Sequence, residues 1–164
     1  MQFAPRLFDR FPWLAEFAES GDAGASSGDL LVRVPSPTGD EDRSLIVWLE
    51  DGEPSIRFGW WHTHATTWDP PEDGDEWDGI LDLIEAIFAD RIVLTEDVAG
   101  DWAGRVGFVD LREAESLSQE LASDRIPRRV RLKSWTGEED RLVVSDDDGL
   151  RTLTAPHDRI DQEL

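Results

Sequence analysis

His62 and His64 stand one residue apart in the stretch "RFGWWHTHATTWDPPEDGDEWDG", residues 57–79, and carboxylates follow them at once. Side chains alternate between the two faces of a strand, so His-x-His presents both imidazoles on one side. Two such nitrogens are half of a site for zinc, manganese or nickel. Oxygen donors lie close in sequence at Asp69, Glu72, Asp73 and Asp75, and the third histidine, His157, is distant. Read as one continuous strand, the segment puts Ile56, Phe58, Trp60, His62 and His64 on one face. Arg57, Gly59, Trp61 and Thr63 then share the other. On this phase the histidines extend an apolar face, which also suits hydrogen-bonded residues at the rim of a core. Structural histidines, metal ligands and a metal-free recognition surface all stay open.

The same stretch is rich in tryptophan. The chain has eight tryptophans and no tyrosine, and Trp48, Trp60, Trp61, Trp68 and Trp77 cluster within it or just before it. Large aromatics dominate cores, but tryptophan is also the residue most enriched at interface hot spots, where truncation costs about 2 kcal/mol or more. The strand phase buries Trp60 and leaves Trp61 and Trp68 as anchors; Trp135, in the turn "SWTGEED", is a further candidate for exposure. Beside these anchors runs the acidic segment "DPPEDGDEWD". Its carboxylates Asp69, Glu72, Asp73, Asp75, Glu76 and Asp78 form an acidic rim that would pair with lysine and arginine on a partner. A second acidic run, "SDDDG", follows at 145–149. Solvated turns are the plain alternative for both runs.

Charge bounds the partners further. Asp and Glu number 37 against 16 Lys and Arg, a formal net charge of −21. Such a surface repels nucleic acid and anionic membranes and attracts basic proteins. Salt adaptation, or a codon bias that leaves Lys133 as the lone lysine, would also account for the acidity. No apolar run approaches the roughly 20 residues that span a bilayer, and the first residues lack the pattern of a signal peptide. The absence of cysteine excludes disulfides and thiolate chemistry and fits a cytoplasmic protein. Phosphate-cradling glycine loops, dinucleotide fingerprints and nucleophile elbows are missing.

The elements that must position these residues follow from periodicity. Apolar residues at helical spacing predict a helix over 3–20, with Pro12 in a first turn. "DLLVRV", "SLIVWL" and "SIRFGWWHTH" predict strands, with Asp51-Gly52 as a hairpin cue. Ile80, Leu83, Ile84, Ile87 and Phe88 make one stripe of a helix over 75–91, capped by Asp75 or a neighbour, with Asp78, Asp82, Glu85 and Asp90 facing away. "RIVLTED" and "GRVGFVD" predict strands. Asp110 and Glu113 form a capping box for a helix over "LREAESLSQELAS". Strands at "RRVRLKSW", "DRLVVS" and "GLRTLT" complete the order. The half-exposed "RIPRRVRLK" strand would neutralise some of the acids. This order predicts an α+β fold, a mostly antiparallel sheet with helices packed on one face, as a single domain over 1–164.

Two resemblances bear on function. "GWWHTH" resembles the JAMM-type metalloprotease stretch in which a strand delivers His-Ser/Thr-His to zinc. Asp75 falls at the position of that motif's acid, while Ala65 replaces its proline and Glu72 its serine. The resemblance implies zinc on His62, His64 and Asp75, with Glu16, Glu19 or Glu50 as the upstream catalytic glutamate. A metal-dependent hydrolase of another kind would take Asp75 or Asp69 as third ligand and Glu72 or Glu50 as base. The cupin pattern also uses His-x-His, and Asp69 has suitable spacing for its acid, but the glycine before the pair is missing. More of the chain is similar to small bacterial immunity-like proteins encoded beside toxins. The matching residues are Phe58-Gly59, Trp61-His62-Thr63-His64, the helix around Ile80 to Phe88, and Trp102-Ala103-Gly104. That resemblance implies a cofactor-free inhibitor, not an enzyme, that occupies the active site of a basic, nuclease-type toxin. It is the first expectation for this chain, with the metal-dependent hydrolase as the alternative.

Overall fold

The computed structural model describes residues 3–19, 30–50, 52–65, 72, 74–99, 101, 103–113, 128–146 and 149–153. Backbone packing groups the chain into two compact units, Met1–Glu85 and Ala86–Leu164, whose boundary runs through the second α-helix. The chain is an α+β protein, and all its described strand pairings are antiparallel.

The first unit opens with α1 (Phe3–Arg10) and a 3-10 turn over Pro12–Phe17. The predicted single helix breaks here because Pro12 has no N–H and its ring would clash with the preceding turn. Phe11, before the proline, leaves helical geometry at φ −128° and ψ 72°. Strands β1 (Ala18–Glu19), β2 (Leu31–Val34), β3 (Leu45–Glu50), β4 (Glu53–Phe58) and β5 (Trp61–His64) follow, paired in chain order. Helix α2 (Glu76–Phe88) begins in this unit. The inner face of the sheet carries Val32, Val34, Leu45, Val47, Ile56 and Phe58, all at most 2% exposed, and Leu7, Leu14, Ile80 and Ile84 are equally buried in the same unit. Asp75 caps α2 as expected. Its Oδ1 accepts from the Trp77 and Asp78 amides, and Asp78 Oδ2 accepts from the Asp75 amide at 2.9 Å, a reciprocal capping box.

One expectation is overturned in a way that matters for the histidines. "SIRFGWWHTH" is two strands, because the chain reverses at Gly59-Trp60 and Phe58 pairs directly with Trp61. Gly59 takes φ +57°, the positive value that a two-residue hairpin of type II′ requires at its first central position. A strand passing through such a turn inverts the expected phase. Thr63 and Trp61 therefore join Ile56 and Phe58 on the inner side, and His62 and His64 lie on the outer side with Arg57 and Ser55.

The second unit holds β6 (Ile92–Ala99), β7 (Val106–Asp110), β8 (Arg128–Lys133), β9 (Arg141–Asp146) and β10 (Gly149–Leu153), in the spatial order β10-β9-β8-β6-β7. Its core gathers Val93, Val130, Leu132 and Val143, with Val109 and Leu111 against them. The "RRVRLK" strand does neutralise acids: Arg128 pairs with Asp97, and Arg131 with Glu96. Trp135 is 5% exposed and packs edge-on against Phe88, with ring centroids 5.2 Å apart. It is therefore a core residue and not the exposed anchor expected of a turn tryptophan. Asp90 is also buried, at 8% exposure, just beyond the end of α2 rather than on its outward face. Beyond its first turn, Leu111–Glu113, the helix expected over "LREAESLSQELAS" lies outside the described residues, as does His157.

Two carboxyls link the fold to pH. A hydrogen bond from Arg6, supported by the Trp77 and Asp78 amides, holds the Asp75 carboxyl below the ordinary aspartate range. Arg112 does the same to Asp110, with Arg91 adding to it. In the acid range the folded chain then binds fewer protons than the unfolded one, so stability rises with pH there. Stability from these groups is fully present above the unfolded aspartate pKa and is lost as pH falls through the folded values. Arg6→Gln should make the acid limb of a stability-against-pH curve shallower, read by urea unfolding at several pH values. An unchanged slope would contradict this.

Candidate functional site

The outer face of the first sheet is ordered by its register. One row across the strands reads Arg33, Ile46, Arg57, His62, and the next reads Leu31, Trp48, Ser55, His64. His-x-His thus does place both rings on one face, with centroids 6.0 Å apart and planes at 85°. His62 is exposed and His64 half-buried. His64 Nδ1 lies 2.7 Å from Oγ of the fully buried Ser55, a bond that orients the ring and leaves Nε2 as its other nitrogen.

Structural zinc takes four protein ligands and catalytic zinc three. Among the described residues no three His, Asp or Glu side chains converge in such a group. Asp75, the acid expected to complete the site, is engaged elsewhere. Arg6 Nη1 donates to both its oxygens, at 2.7 and 2.5 Å, and Arg6 Nη2 pairs with Asp78. The Arg6 guanidinium also lies 5.7 Å from the Trp77 ring centroid. One turn on, Arg10 pairs with Asp82 and Glu85. Two arginines of α1 thus tie down the acidic side of α2 as part of the fold.

The expected partner-binding set divides accordingly. Asp75 and Asp78 are ion-paired within the chain, Glu72 is exposed, and Glu76 begins α2. Trp61 is half-buried on the inner side beside Phe58. Trp68, Asp69 and Asp73 lie outside the described residues. A different tryptophan reaches solvent. Trp13 is 43% exposed, edge-on to Phe17 at 6.0 Å, and the nearby Asp9 and Glu16 are exposed as well. Trp13 lies off the apolar stripe of Phe3, Leu7, Phe11 and Leu14, in the 3-10 turn Pro12–Phe17, and the tryptophan cluster around the histidines drew attention away from it.

A pocket that no motif announces lies between the β2–β3 connection and the Gly59-Trp60 turn. It encloses about 690 Å³, within the range of small-molecule sites. Arg33, Arg57 and Trp60 line one part of it, and Asp40, Glu41 and Asp42 another. The connection is closely bonded. Asp40 Oδ2 accepts from Arg43 Nε at 2.9 Å, its Oδ1 accepts from the Asp42 amide at 2.9 Å, and Arg43 itself is 1% exposed.

No protein-family model matches the chain, and no curated protein or solved structure is significantly similar to it.

Proposed function

We propose that this chain is an acidic protein-binding module whose partner is a basic protein and, more narrowly, an immunity-like inhibitor that covers the active site of a basic, nuclease-type toxin. The observation that supports this reading is where the cations go. Arg6, Arg10, Arg33, Arg43, Arg91, Arg112, Arg128, Arg131 and Arg141 are all held by the chain's own carboxylates. With most of the 16 cations engaged internally, the net charge of −21 is left as carboxylate surplus. Such a field accelerates encounter with a basic surface and repels acidic ones. Trp13 is exposed, Asp9 and Glu16 close to it in sequence are exposed too, and tryptophan is among the residues most enriched at interface hot spots. The test is capture at low salt from the source organism, then kinetics with the purified partner. The expected partner is net basic, and Trp13→Ala speeds its dissociation about 30-fold, as loss of roughly 2 kcal/mol requires. A net-acidic partner, or an unchanged dissociation rate, would count against the reading.

The competing reading, a metal-dependent hydrolase on His62 and His64, is favoured by their common face. Elemental analysis of the native protein separates the two. About one equivalent of zinc that disappears in His62→Ala/His64→Ala would favour the hydrolase.

A further inference from the structure

Arg57 stands apart from the other cations among the described residues. It is exposed and makes no ion pair among the described residues, although three carboxylates line the same pocket. Its row neighbour two strands away, Arg33, is about 10 Å distant by strand spacing and is drawn to Glu19, with Nε 3.4 Å from Oε1. In the same lining Asp40 is occupied by Arg43, whereas Glu41 and Asp42 are exposed and in no described ion pair. The segments that carry these residues are fixed by the fold. Arg43 anchors the 40–42 turn from below, and the Gly59 amide donates to the Ser44 carbonyl at 3.1 Å, fixing one loop against the other. Trp60, half-buried, contributes an aromatic surface to the pocket.

A pocket lined by a cation and two anions in no described ion pair, with an indole beside them, is matched by a ligand with the three complementary features. A singly charged ligand would leave one charge of the lining desolvated and unpaired, which is costly. From this lining we infer that the pocket binds a small zwitterion of the aromatic amino-acid class. Its carboxylate meets Arg57, its ammonium meets Glu41 and Asp42, and its ring lies against Trp60. This site shares no residue with the proposed partner surface at Trp13, so either stands without the other.

Three probes separate the contributions: L-phenylalanine, 3-phenylpropionate, which lacks the ammonium, and phenethylamine, which lacks the carboxylate. Binding is read by calorimetry and by the NMR signals of the Arg57 and Trp60 side chains. L-phenylalanine should bind at least about ten-fold more tightly than either analogue, as loss of one charged hydrogen-bonding partner implies. Arg57→Gln should weaken L-phenylalanine and 3-phenylpropionate by about ten-fold and leave phenethylamine unchanged. Glu41→Gln/Asp42→Asn should weaken L-phenylalanine and phenethylamine by about ten-fold and leave 3-phenylpropionate unchanged. All three positions are exposed, so unchanged spectra elsewhere confirm folding. No response to any probe, equal affinity for all three, or L-phenylalanine binding that ignores Arg57→Gln would overturn the assignment.

Discussion

Asp97→Ala is expected to destabilise the second unit by about 3–5 kcal/mol, a large share of the 5–15 kcal/mol that holds a typical domain together. Arg128 grips Asp97 with both arms of its fork, Nε to Oδ1 at 2.9 Å and Nη2 to Oδ2 at 2.8 Å. The two side chains are 8% and 5% exposed. Removing the carboxylate deprives a buried guanidinium of its two-armed partner, which makes its desolvation costlier. The carboxylate belongs to a residue that also ties the β6–β7 connection. The Asp97 amide donates to the Arg105 carbonyl at 2.9 Å, and the Asp97 carbonyl accepts from Gly104 at 2.8 Å. Replacing both partners with apolar residues of similar size, Asp97→Leu/Arg128→Met, should recover most of the loss, because the desolvation cost goes with the charges. Urea unfolding of the single and double variants checks this. Equal destabilisation in both would mean that packing, and not charge, dominates the site.

The second large effect is expected at Asp90, where backbone geometry and hydrogen bonding act together. This residue ends α2 in the left-handed region at φ 53°. Its amide donates to the Ile87 carbonyl at 3.0 Å, and the Arg91 amide donates to the Ala86 carbonyl at 2.8 Å, the two bonds of a Schellman motif. Glycine is usual at that position, and the aspartate here adds side-chain hydrogen bonds that glycine lacks. Oδ1 accepts from the Thr136 amide at 2.8 Å, and Oδ2 accepts from the Thr136 hydroxyl. Asp90→Ala should cost about 2–4 kcal/mol, from left-handed strain of about 1 kcal/mol and a Thr136 amide left without its acceptor. Asp90→Gly removes the strain and keeps the loss of hydrogen bonds, so it should cost less. Asp90→Asn tolerates the conformation and keeps one oxygen acceptor, and should cost least. Thermal unfolding gives the order. A glycine variant more stable than the wild type by the whole strain relief, about 1 kcal/mol, would show that the Thr136 bonds contribute nothing.

Much of the fold was legible because strand and helix periodicities follow from the same burial that builds the cores. "DLLVRV" and "SLIVWL" alternate as β2 and β3 do, and the Ile80 to Phe88 stripe is α2. What escaped was turn chemistry inside an aromatic run. Gly59-Trp60-Trp61 reads as strand on side-chain propensity, yet a single positive φ at Gly59 reverses the chain and moves both histidines to the opposite face. The ion pairs of α2 and of the residues before it were hidden for another reason. Arg6 and Arg10 lie about seventy positions from the carboxylates they hold, and no local pattern announces such a pairing. The pocket was hidden likewise, since Arg33 and Arg57 are brought into one row only by the register of β2, β3 and β4. The histidine spacing was informative about their common face and silent about a third ligand.

The central claim is that carboxylate surplus drives recognition of a basic protein, and its most direct test is the association rate of the purified partner across ionic strength. Between roughly 0.02 M and 0.5 M salt, screening shortens from about 20 Å to about 4 Å, and the account predicts a fall in association rate of at least about ten-fold. Asp9→Asn/Glu16→Gln should lower the low-salt rate and flatten that dependence, leaving the dissociation rate nearly unchanged. An association rate that ignores salt in the wild-type protein would contradict the account.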